Sequence, residues 1–334
     1  MLRRLLLTVA VCALGCGMSA ATADGGIGDA GDEPPSTTTG AVQVIVEPSD
    51  NAAALLSAVQ NAQTSIHVTM YLLTNNQFIN TLIAKKNAGL DVQVVLNQTF
   101  PTPTSPNNDA VFAQLQGAGV DVVWASSAFN FTHAKCVIVD AATAWIMTMN
   151  VTFSSPSQNR EYLAIDTDPD DVAEAEAVFQ ADHALTTANV VGKLLVAPVN
   201  ARGGVLGLVQ NAASKLDLEG ESLSDATLVP SLVDAKNRGV AVRVVLSDST
   251  PSNAMATAVQ TLQASGIPVN KVSTPYIHSK AIVADDALAY VGSANFTQNS
   301  LDSNREIGLV ISNPSEVAKV EAAIDADFTA GVTY

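Results

Sequence analysis

The stretch THAKCVIVDAATAWIMTMNVTFSSPSQNRE, residues 132–161, occurs a second time as IHSKAIVADDALAYVGSANFTQNSLDSNRE, residues 277–306. The two copies align without a gap, and 11 of the 29 positions from His133 to Glu161 are identical. The identical positions include a histidine, a lysine, two asparagines, an arginine and a glutamate. A duplication that served packing alone would preferentially keep apolar positions. The retained polar set therefore predicts one functional site that both copies build together.

The rest of the chain is duplicated as well. Residues 82–97 resemble residues 232–247, and each segment reads as a helix with an apolar stripe, a glycine stop and a buried strand. Each half alternates strands with helices and ends in a hairpin, which requires a mixed sheet covered by helices. The pattern predicts an α/β fold of two pseudo-twofold-related lobes, each a mixed β-sheet flanked by helices, over residues 42–186 and 187–334. Because one chain carries both copies, we expect a monomer.

The N-terminus has the pattern of an export signal. MLRR is charged, and LLLTVAVCALGC is an apolar run too short to span a bilayer, so residues 1–16 are predicted to be a signal peptide. ALGC, ending at Cys16, resembles a bacterial lipobox, although Ala13 stands where leucine is preferred; cleavage near SAATADG is the alternative. Residues 17–41 predict a flexible linker. We expect a mature chain without a transmembrane helix, secreted, periplasmic or lipid-anchored to the bacterial envelope through Cys16.

The charge balance narrows the partners. The 334-residue chain has 32 acidic and 16 basic side chains, a net charge of −16 at pH 7. Nonspecific binding to nucleic acid requires a basic surface, so the composition argues against nucleic acid as a partner. A hydrophobic content of 48% with only 14% charged residues is typical of a well-packed globular protein.

The duplicated residue types fit phosphoryl transfer. A phosphodiester reaction needs a nucleophile, an acid for the leaving oxygen, and cations or donors for the nonbridging oxygens. Two histidines supply the first two roles, and two lysines with two asparagines supply the third. The sequence has no Cys/His/Asp cluster with the spacing of metal ligands, so we expect catalysis without a metal or another cofactor.

The pattern H-x-K-x4-D, followed by G-S-x-N and a later N-x-E, resembles the phospholipase D superfamily from about residue 42 to residue 334. In that family the two motifs meet between two lobes and form one site. One histidine becomes a phosphohistidine, and the other protonates the departing alcohol and then activates water or an acceptor alcohol. The resemblance favours His133 as nucleophile and His278 as general acid and base, an order that the sequence leaves open.

The resemblance also suggests roles for the other repeated residues. Phosphate binding is expected of the lysines, asparagines and hydroxyls of the two motifs: Lys135, Lys280, Asn150, Asn295, Thr148 and Ser293. Glu161 and Glu306 are candidates to orient the histidines, and the sequence does not pair them. Asp140 and Asp285 fall in the hairpin turns, where we expect a supporting, structural role. Met147 stands where the family has glycine, and we expect it to add bulk close to the first motif.

These features predict a phospholipase D-like phosphodiesterase acting on phospholipids at a membrane surface. It would release phosphatidic acid and an alcohol headgroup, or transfer the phosphatidyl group to another alcohol. Two alternatives stay open: an endonuclease of the same superfamily, and a noncatalytic phosphate-binding surface protein. The acidic composition disfavours the first, and the retention of both histidines disfavours the second.

Overall fold

The structure is a computed structural model, and it describes residues 41–102 and 107–334. The predicted signal peptide and the predicted linker up to residue 40 lie outside the described residues. Within the described ranges, no helix combines the length and the apolar composition needed to cross a bilayer.

The first lobe contains a mixed sheet in the order β1-β7-β6-β5-β2-β3-β4. Its strands are β1 (Val42–Glu47), β2 (Ser65–Met70), β3 (Asp91–Leu96), β4 (Asp121–Trp124), β5 (Lys135–Val139), β6 (Thr143–Met147) and β7 (Asn159–Asp166). Strands β2, β3 and β4 pair in parallel, whereas β5, β6, β7 and β1 pair antiparallel. The strand that carries the first motif is therefore central, with neighbours on both sides.

The second lobe repeats this arrangement in the order β16-β11-β10-β9-β13-β14-β15-β8. Its strands are β8 (Leu195–Ala197), β9 (Lys215–Gly220), β10 (Ala241–Ser247), β11 (Val269–Val272), β13 (Lys280–Ala284), β14 (Leu288–Gly292), β15 (Glu306–Ile311) and β16 (Val332–Thr333). Strand β12 (Tyr276–Ile277) leaves this sheet and pairs with β7 of the first lobe. The predicted fold class, two related lobes with mixed sheets flanked by helices, is confirmed.

Helices cover both faces of each sheet. They are α1 (Ala53–Asn61), α2 (Asn76–Asn87), α3 (Asp109–Gly117), α4 (Ser155–Gln158), α5 (Pro169–His183), α6 (Ala201–Asn211), α7 (Leu228–Asn237), α8 (Asn253–Ala264), α9 (Gln298–Asp302) and α10 (Pro314–Ala330). Helices α1–α3 and α6–α8 pack on the outer faces of their sheets, and each set encloses a core of its own. Helices α5 and α10 lie between the lobes, where they share a third core with both inner faces. The molecule is thus a layered α/β structure with a buried seam.

The two central helices begin with the same local chemistry. Asp168 and Asn313 precede Pro169 and Pro314, and each side chain accepts a hydrogen bond from a backbone N–H of the first turn. An acidic or amide N-cap followed by proline is a strong helix start, because proline needs no N–H partner at this position. The same cap-and-proline pair therefore determines where both α5 and α10 begin.

Backbone pairing and salt bridges connect the two lobes across the seam, the interface that contains α5 and α10. Tyr276 and Ile277 pair with the Asn159–Arg160 end of β7, and Thr132 forms the corresponding bridge to Arg305. Salt bridges follow the same symmetry, since Arg160 binds Asp327 of α10 at 2.6 Å and Arg305 binds Asp182 of α5 at 3.0 Å. The residues just before each motif histidine are thereby held against the other lobe.

Candidate active site

Each motif histidine lies just before a central strand, two residues ahead of its lysine. Alternate residues of an extended chain point to the same side, so His133 and Lys135 share a face, as do His278 and Lys280. Lys135 Nζ donates to the His133 backbone carbonyl at 2.5 Å, and Lys280 Nζ donates to the carbonyl of His278. Both lysines are fully buried, whereas the histidines keep about 8–9% of their surface exposed. The rings therefore lie at the mouth of the site, with the ammonium groups beneath them.

The first histidine is oriented by the second lobe. His133 Nδ1 lies 2.9 Å from Oε2 of Glu306 and 3.0 Å from its Oε1. Asn304 Nδ2 donates to the same carboxylate at 3.0 Å, which fixes Glu306 from behind. A carboxylate on Nδ1 holds the proton there and leaves Nε2 as the free nitrogen.

The second histidine has the reciprocal arrangement with a different geometry. His278 Nδ1 lies 2.8 Å from Oε1 of Glu161, a residue of the first lobe. The ring is turned so that this close contact lacks the alignment of a hydrogen bond. Asn159 Nδ2 donates to Glu161 at 3.1 Å, as its counterpart Asn304 does to Glu306. The glutamates are thus exchanged between lobes, a pairing that the sequence left undecided.

The hydroxyl residues occupy a different place from the one predicted. Thr148 Oγ1 donates to Glu161 at 2.5 Å, and Ser293 Oγ donates to Glu306 at 2.7 Å. Both side chains are fully buried and also contact the following strand through its backbone. The expectation that Thr148 and Ser293 bind phosphate is corrected. Their hydroxyls donate to Glu161 and Glu306, and these hydrogen bonds position the two carboxylates that contact the histidines.

The two asparagines lie at matching positions after β6 and β14. Asn150 is 8% exposed, and its Oδ1 has no hydrogen-bond partner among the described residues. The same holds for the Oδ1 of Asn295. Buried amide oxygens normally have a partner, so both Oδ1 atoms are available to a hydrogen-bond donor, whereas a phosphate oxygen requires the Nδ2 donors of the same side chains. Phosphate binding by Asn150 and Asn295 remains a prediction.

The motif aspartates lie at the opposite ends of the motif strands. Asp140 follows strand β5 (Lys135–Val139), whereas His133 precedes it, so the two residues are about 20 Å apart along the extended chain. Its carboxylate accepts hydrogen bonds from the backbone N–H groups of residues 63–65, the shortest at 2.7 Å. Asp285 makes the equivalent bonds to residues 213–215. Both aspartates therefore tie a hairpin turn to a neighbouring strand, and neither faces the histidines.

Met147 is accommodated by a second substitution. At the equivalent site, Gly292 pairs with Gly308, and a Cβ on Gly292 would lie 2.5 Å from the Tyr290 hydroxyl. In the first lobe Met147 pairs with Leu163, and both are fully buried in the core beneath α1–α3. The two larger side chains replace the glycine pair together. Met147 therefore fills the outer core of its lobe, and the expected crowding of the site is absent.

Burial controls the charges of the first motif. It lowers the pKa of His133 to about 4, and although Glu306 opposes the shift, Lys135 and Lys280 reinforce it. Burial likewise lowers the pKa of Lys135 to about 7, against the pull of Glu306. Burial would raise the pKa of Glu306, but hydrogen bonds from His133 and Ser293 and the nearby Lys135 ammonium lower it and favour the carboxylate. At neutral pH the His133 ring is a neutral imidazole whose Nε2 lone pair is available.

Two residues absent from the sequence predictions complete the walls of the site. Tyr71 follows β2 and meets His133 edge-on at 4.6 Å between ring centroids, with Lys135 Nζ 5.1 Å from its ring. Glu221 follows β9 at the equivalent position and lies 3.1 Å from Lys280 Nζ and 3.7 Å from His278 Nε2. Their position immediately after the strand beside each motif strand is the signal that could have identified them.

Among the described residues, one group of carboxylates is close enough to hold a cation: Asp217, Glu321 and Asp325. Arg243 already bonds to Asp217 at 2.6 Å and to Asp325 at 2.5 Å, and Lys215 pairs with Glu321. This group is an ion-pair network outside the histidine site, and it contributes no ligand to the candidate chemistry.

The repeat and its paired histidines match a known family. The family model described as "Cardiolipin synthase, PLD-like domain" matches twice, over residues 55–183 and 205–328. The chain belongs to the phospholipase D superfamily. Each match covers most of one lobe and includes its H-x-K-x4-D motif, so the internal duplication corresponds to two copies of the family domain.

Relatives within the superfamily include a phospholipase D and a probable cardiolipin synthase. The chain is 37% identical to phospholipase D Z of Dictyostelium discoideum over 110 residues, which is 30% of this chain and 26% of that protein. It is 24% identical over 327 residues to the probable cardiolipin synthase YwiE of Bacillus subtilis, covering 82% of this chain and 63% of YwiE. This chain therefore spans about a quarter of the first relative and less than two thirds of the second.

Solved structures agree with the fold. Phosphatidylserine synthase of Haemophilus influenzae aligns over 90% of this chain and 89% of its own, with a TM-score of 0.70 and 12% identity. Polyphosphate kinase of Porphyromonas gingivalis aligns over 85% of this chain and 46% of its own, with a TM-score of 0.68 and 16% identity. At these identities the likeness shows the phospholipase D-like fold alone.

Proposed function

We propose that this protein is a phospholipase D-type phosphodiesterase that uses both motifs in one site. The observation that carries the proposal is the crossed orientation of the histidines, each contacted at Nδ1 by a glutamate of the other lobe at 2.8–3.0 Å. A fold duplicated only for stability does not need a carboxylate on each ring. Such pairs hold two imidazoles with Nε2 free for chemistry.

In the first half-reaction, Nε2 of His133 attacks phosphorus and the bond to the alcohol oxygen breaks. His278 enters this step as the imidazolium, with a proton on each ring nitrogen; it gives the Nε2 proton to that oxygen, and the alcohol leaves. The phosphohistidine ring gains positive charge, which Glu306 offsets at Nδ1. Lys135, Lys280 and the Nδ2 donors of Asn150 and Asn295 stabilise the nonbridging oxygens.

In the second half-reaction, His278 takes a proton from water or from an acceptor alcohol. The activated oxygen attacks phosphorus, the phosphorus–nitrogen bond breaks, and His133 returns to the neutral state. With water the product is a phosphomonoester, and with an alcohol it is a new diester. This two-step chemistry needs only groups of the chain, so we propose that no metal takes part.

A phospholipid is the proposed substrate. The names of the relatives, phospholipase D and cardiolipin synthase, support a phosphatidyl group as the part transferred. The net charge of −16 also weakens the case for a polynucleotide. Whether water or an alcohol is the main acceptor is left to experiment.

The test uses the purified full chain with mixed micelles of phosphatidylcholine or phosphatidylethanolamine, excess EDTA and a small amount of ethanol. We expect phosphatidic acid and phosphatidylethanol to form, and both products to disappear in His133→Ala and His278→Ala. Plasmid DNA is the parallel substrate. Cleavage of DNA without lipid turnover would replace the proposal with a nuclease, and loss of lipid turnover in EDTA would contradict metal-free catalysis.

We also propose that the protein is exported and anchored to the bacterial envelope by a lipid on Cys16. The MLRR charge, the short apolar run and the ALGC sequence support this placement. Metabolic labelling with a fatty acid, compared with a Cys16→Ser variant, tests the anchor. Export with an unlabelled wild type would favour cleavage near SAATADG.

A further inference from the structure

The residues that surround the two histidines differ between the lobes, although the motifs themselves are symmetric. Tyr71 in the first lobe corresponds to Glu221 in the second, and Phe131 corresponds to Tyr276. Tyr71 packs against Phe131 and Phe100, with ring centroids 6.2 and 5.0 Å away, and against the His133 ring. The wall beside His133 is therefore aromatic.

The wall beside His278 is anionic. Glu221 accepts a hydrogen bond from the Tyr276 hydroxyl at 3.0 Å with one oxygen and from Lys280 Nζ at 3.1 Å with the other. Burial would raise the pKa of Glu221, but Lys280, His278 and His133 hold it well below its usual range. The side chain keeps 24% of its surface exposed. An ionised carboxylate has about four acceptor positions, so Glu221 keeps capacity for a further donor.

Glu221 also sets the charge of the site. Two lysines face three carboxylates: Glu161, Glu306 and Glu221. Glu306 and Glu161 contact the Nδ1 atoms of the two histidines, whereas Glu221 contacts neither Nδ1 atom. A bare anion gains less from this site than a substrate that carries a positive charge beside its phosphate.

We propose that Glu221 is a specificity-determining residue that binds a primary ammonium on the leaving alcohol. The inference rests on the proposed function and specifies its substrate. In an in-line displacement the leaving oxygen lies opposite the nucleophile, which places the alcohol beside His278 and within reach of Glu221. The group retained on His133 then lies along Tyr71, Phe100 and Phe131. The asymmetric walls thus orient a zwitterionic diester with its amine towards the second lobe.

The test compares kcat/KM for phosphatidylethanolamine, phosphatidylglycerol and phosphatidylmethanol in the wild type and in Glu221→Gln. We expect Glu221→Gln to lower the preference for phosphatidylethanolamine over phosphatidylmethanol about tenfold or more, because a charge-assisted hydrogen bond is lost. Glu221→Tyr, which copies the first lobe, should abolish the preference. Glu316→Gln is the matched control, since that carboxylate pairs with Lys319 at 2.7 Å outside the site.

A ratio that is unchanged in Glu221→Gln would overturn the proposal, because a merely structural residue lowers all three substrates together. If Glu221→Gln lowered kcat/KM for phosphatidylglycerol as much as for phosphatidylethanolamine, the assignment to an ammonium group would be overturned. Calorimetric titration with glycerophosphoethanolamine and its methyl counterpart needs no turnover. If the wild type hydrolyses no lipid, the proposed function fails, and Glu221-dependent binding of the ammonium diester still decides this inference.

Discussion

Nδ1 of His133 lies 2.9 Å from Oε2 of Glu306, although the two residues are 173 positions apart and belong to different lobes. The reciprocal pair, His278 and Glu161, closes the exchange. Neither lobe holds a complete histidine–glutamate pair of its own. The proposed site therefore requires both lobes, because each histidine is contacted by a glutamate of the other lobe.

Removing the charge of Glu306 tests this orientation. We expect Glu306→Gln to lower kcat by about 100-fold or more, because the amide cannot stabilise the charged ring during attack. Glu161→Gln is the symmetry-related comparison, and its effect should be smaller, since the His278 contact is not an aligned hydrogen bond. Circular dichroism and thermal unfolding check that both variants fold. Equal kcat values for Glu306→Gln and the wild type would remove Glu306 from the mechanism.

The pKa shifts predict a bell-shaped pH profile for kcat/KM. The acidic limb falls as pH drops through about 4, where His133 becomes protonated and its Nε2 lone pair is lost. The basic limb falls as pH rises through about 7, where Lys135 loses its charge and binds phosphate less well. In Lys135→Arg the guanidinium stays charged, so the basic limb should move to higher pH. A basic limb that stays near 7 in this variant would assign it to another group.

Asp140 should affect stability and leave the chemistry intact. We expect Asp140→Asn to lower the free energy of unfolding by about 1–2 kcal/mol, because charge-assisted bonds to the backbone of residues 63–65 are weakened. Asparagine tolerates the positive φ of 56° at this position. Burial would raise the pKa of Asp140, but those backbone bonds lower it. The stabilisation by the carboxylate is therefore lost as the pH falls through this lowered pKa. Urea unfolding at pH 7 measures the difference, and a large loss of kcat would contradict the structural role.

Met147→Gly should destabilise the protein without raising activity. The methionine side chain is fully buried beside Leu163, and deleting it leaves a cavity in the outer core. Large-to-small substitutions of this kind cost about 2–5 kcal/mol, and glycine within a strand adds to the loss. Thermal unfolding and kcat of the variant test the prediction. A gain in kcat would mean that Met147 does obstruct the site.

Much of the fold could be predicted because the chain carries its pattern twice. Buried strands, helices with apolar stripes and glycine stops recur in register, so each half supports the reading of the other. The N-terminal predictions stay predictions, since residues 1–40 lie outside the described structure. Strand β12 is an exception: the sequence pattern assigns Tyr276 and Ile277 to the second lobe, whereas their backbone pairs with β7 of the first. Such pairing depends on the seam, which no local pattern encodes.

The sequence by itself determined which residue types form the site, because their repetition at one register identifies them without any geometry. It also determined that Asp140 and Asp285 lie in turns, since the spacing from the histidine exceeds the motif strand. Tertiary structure decided which glutamate orients which histidine, and it turned Thr148 and Ser293 towards those glutamates. It alone placed Tyr71 and Glu221 beside the rings. These relationships depend on how two sheets pack across a seam, and contacts between residues far apart in the chain leave no periodic signal in sequence.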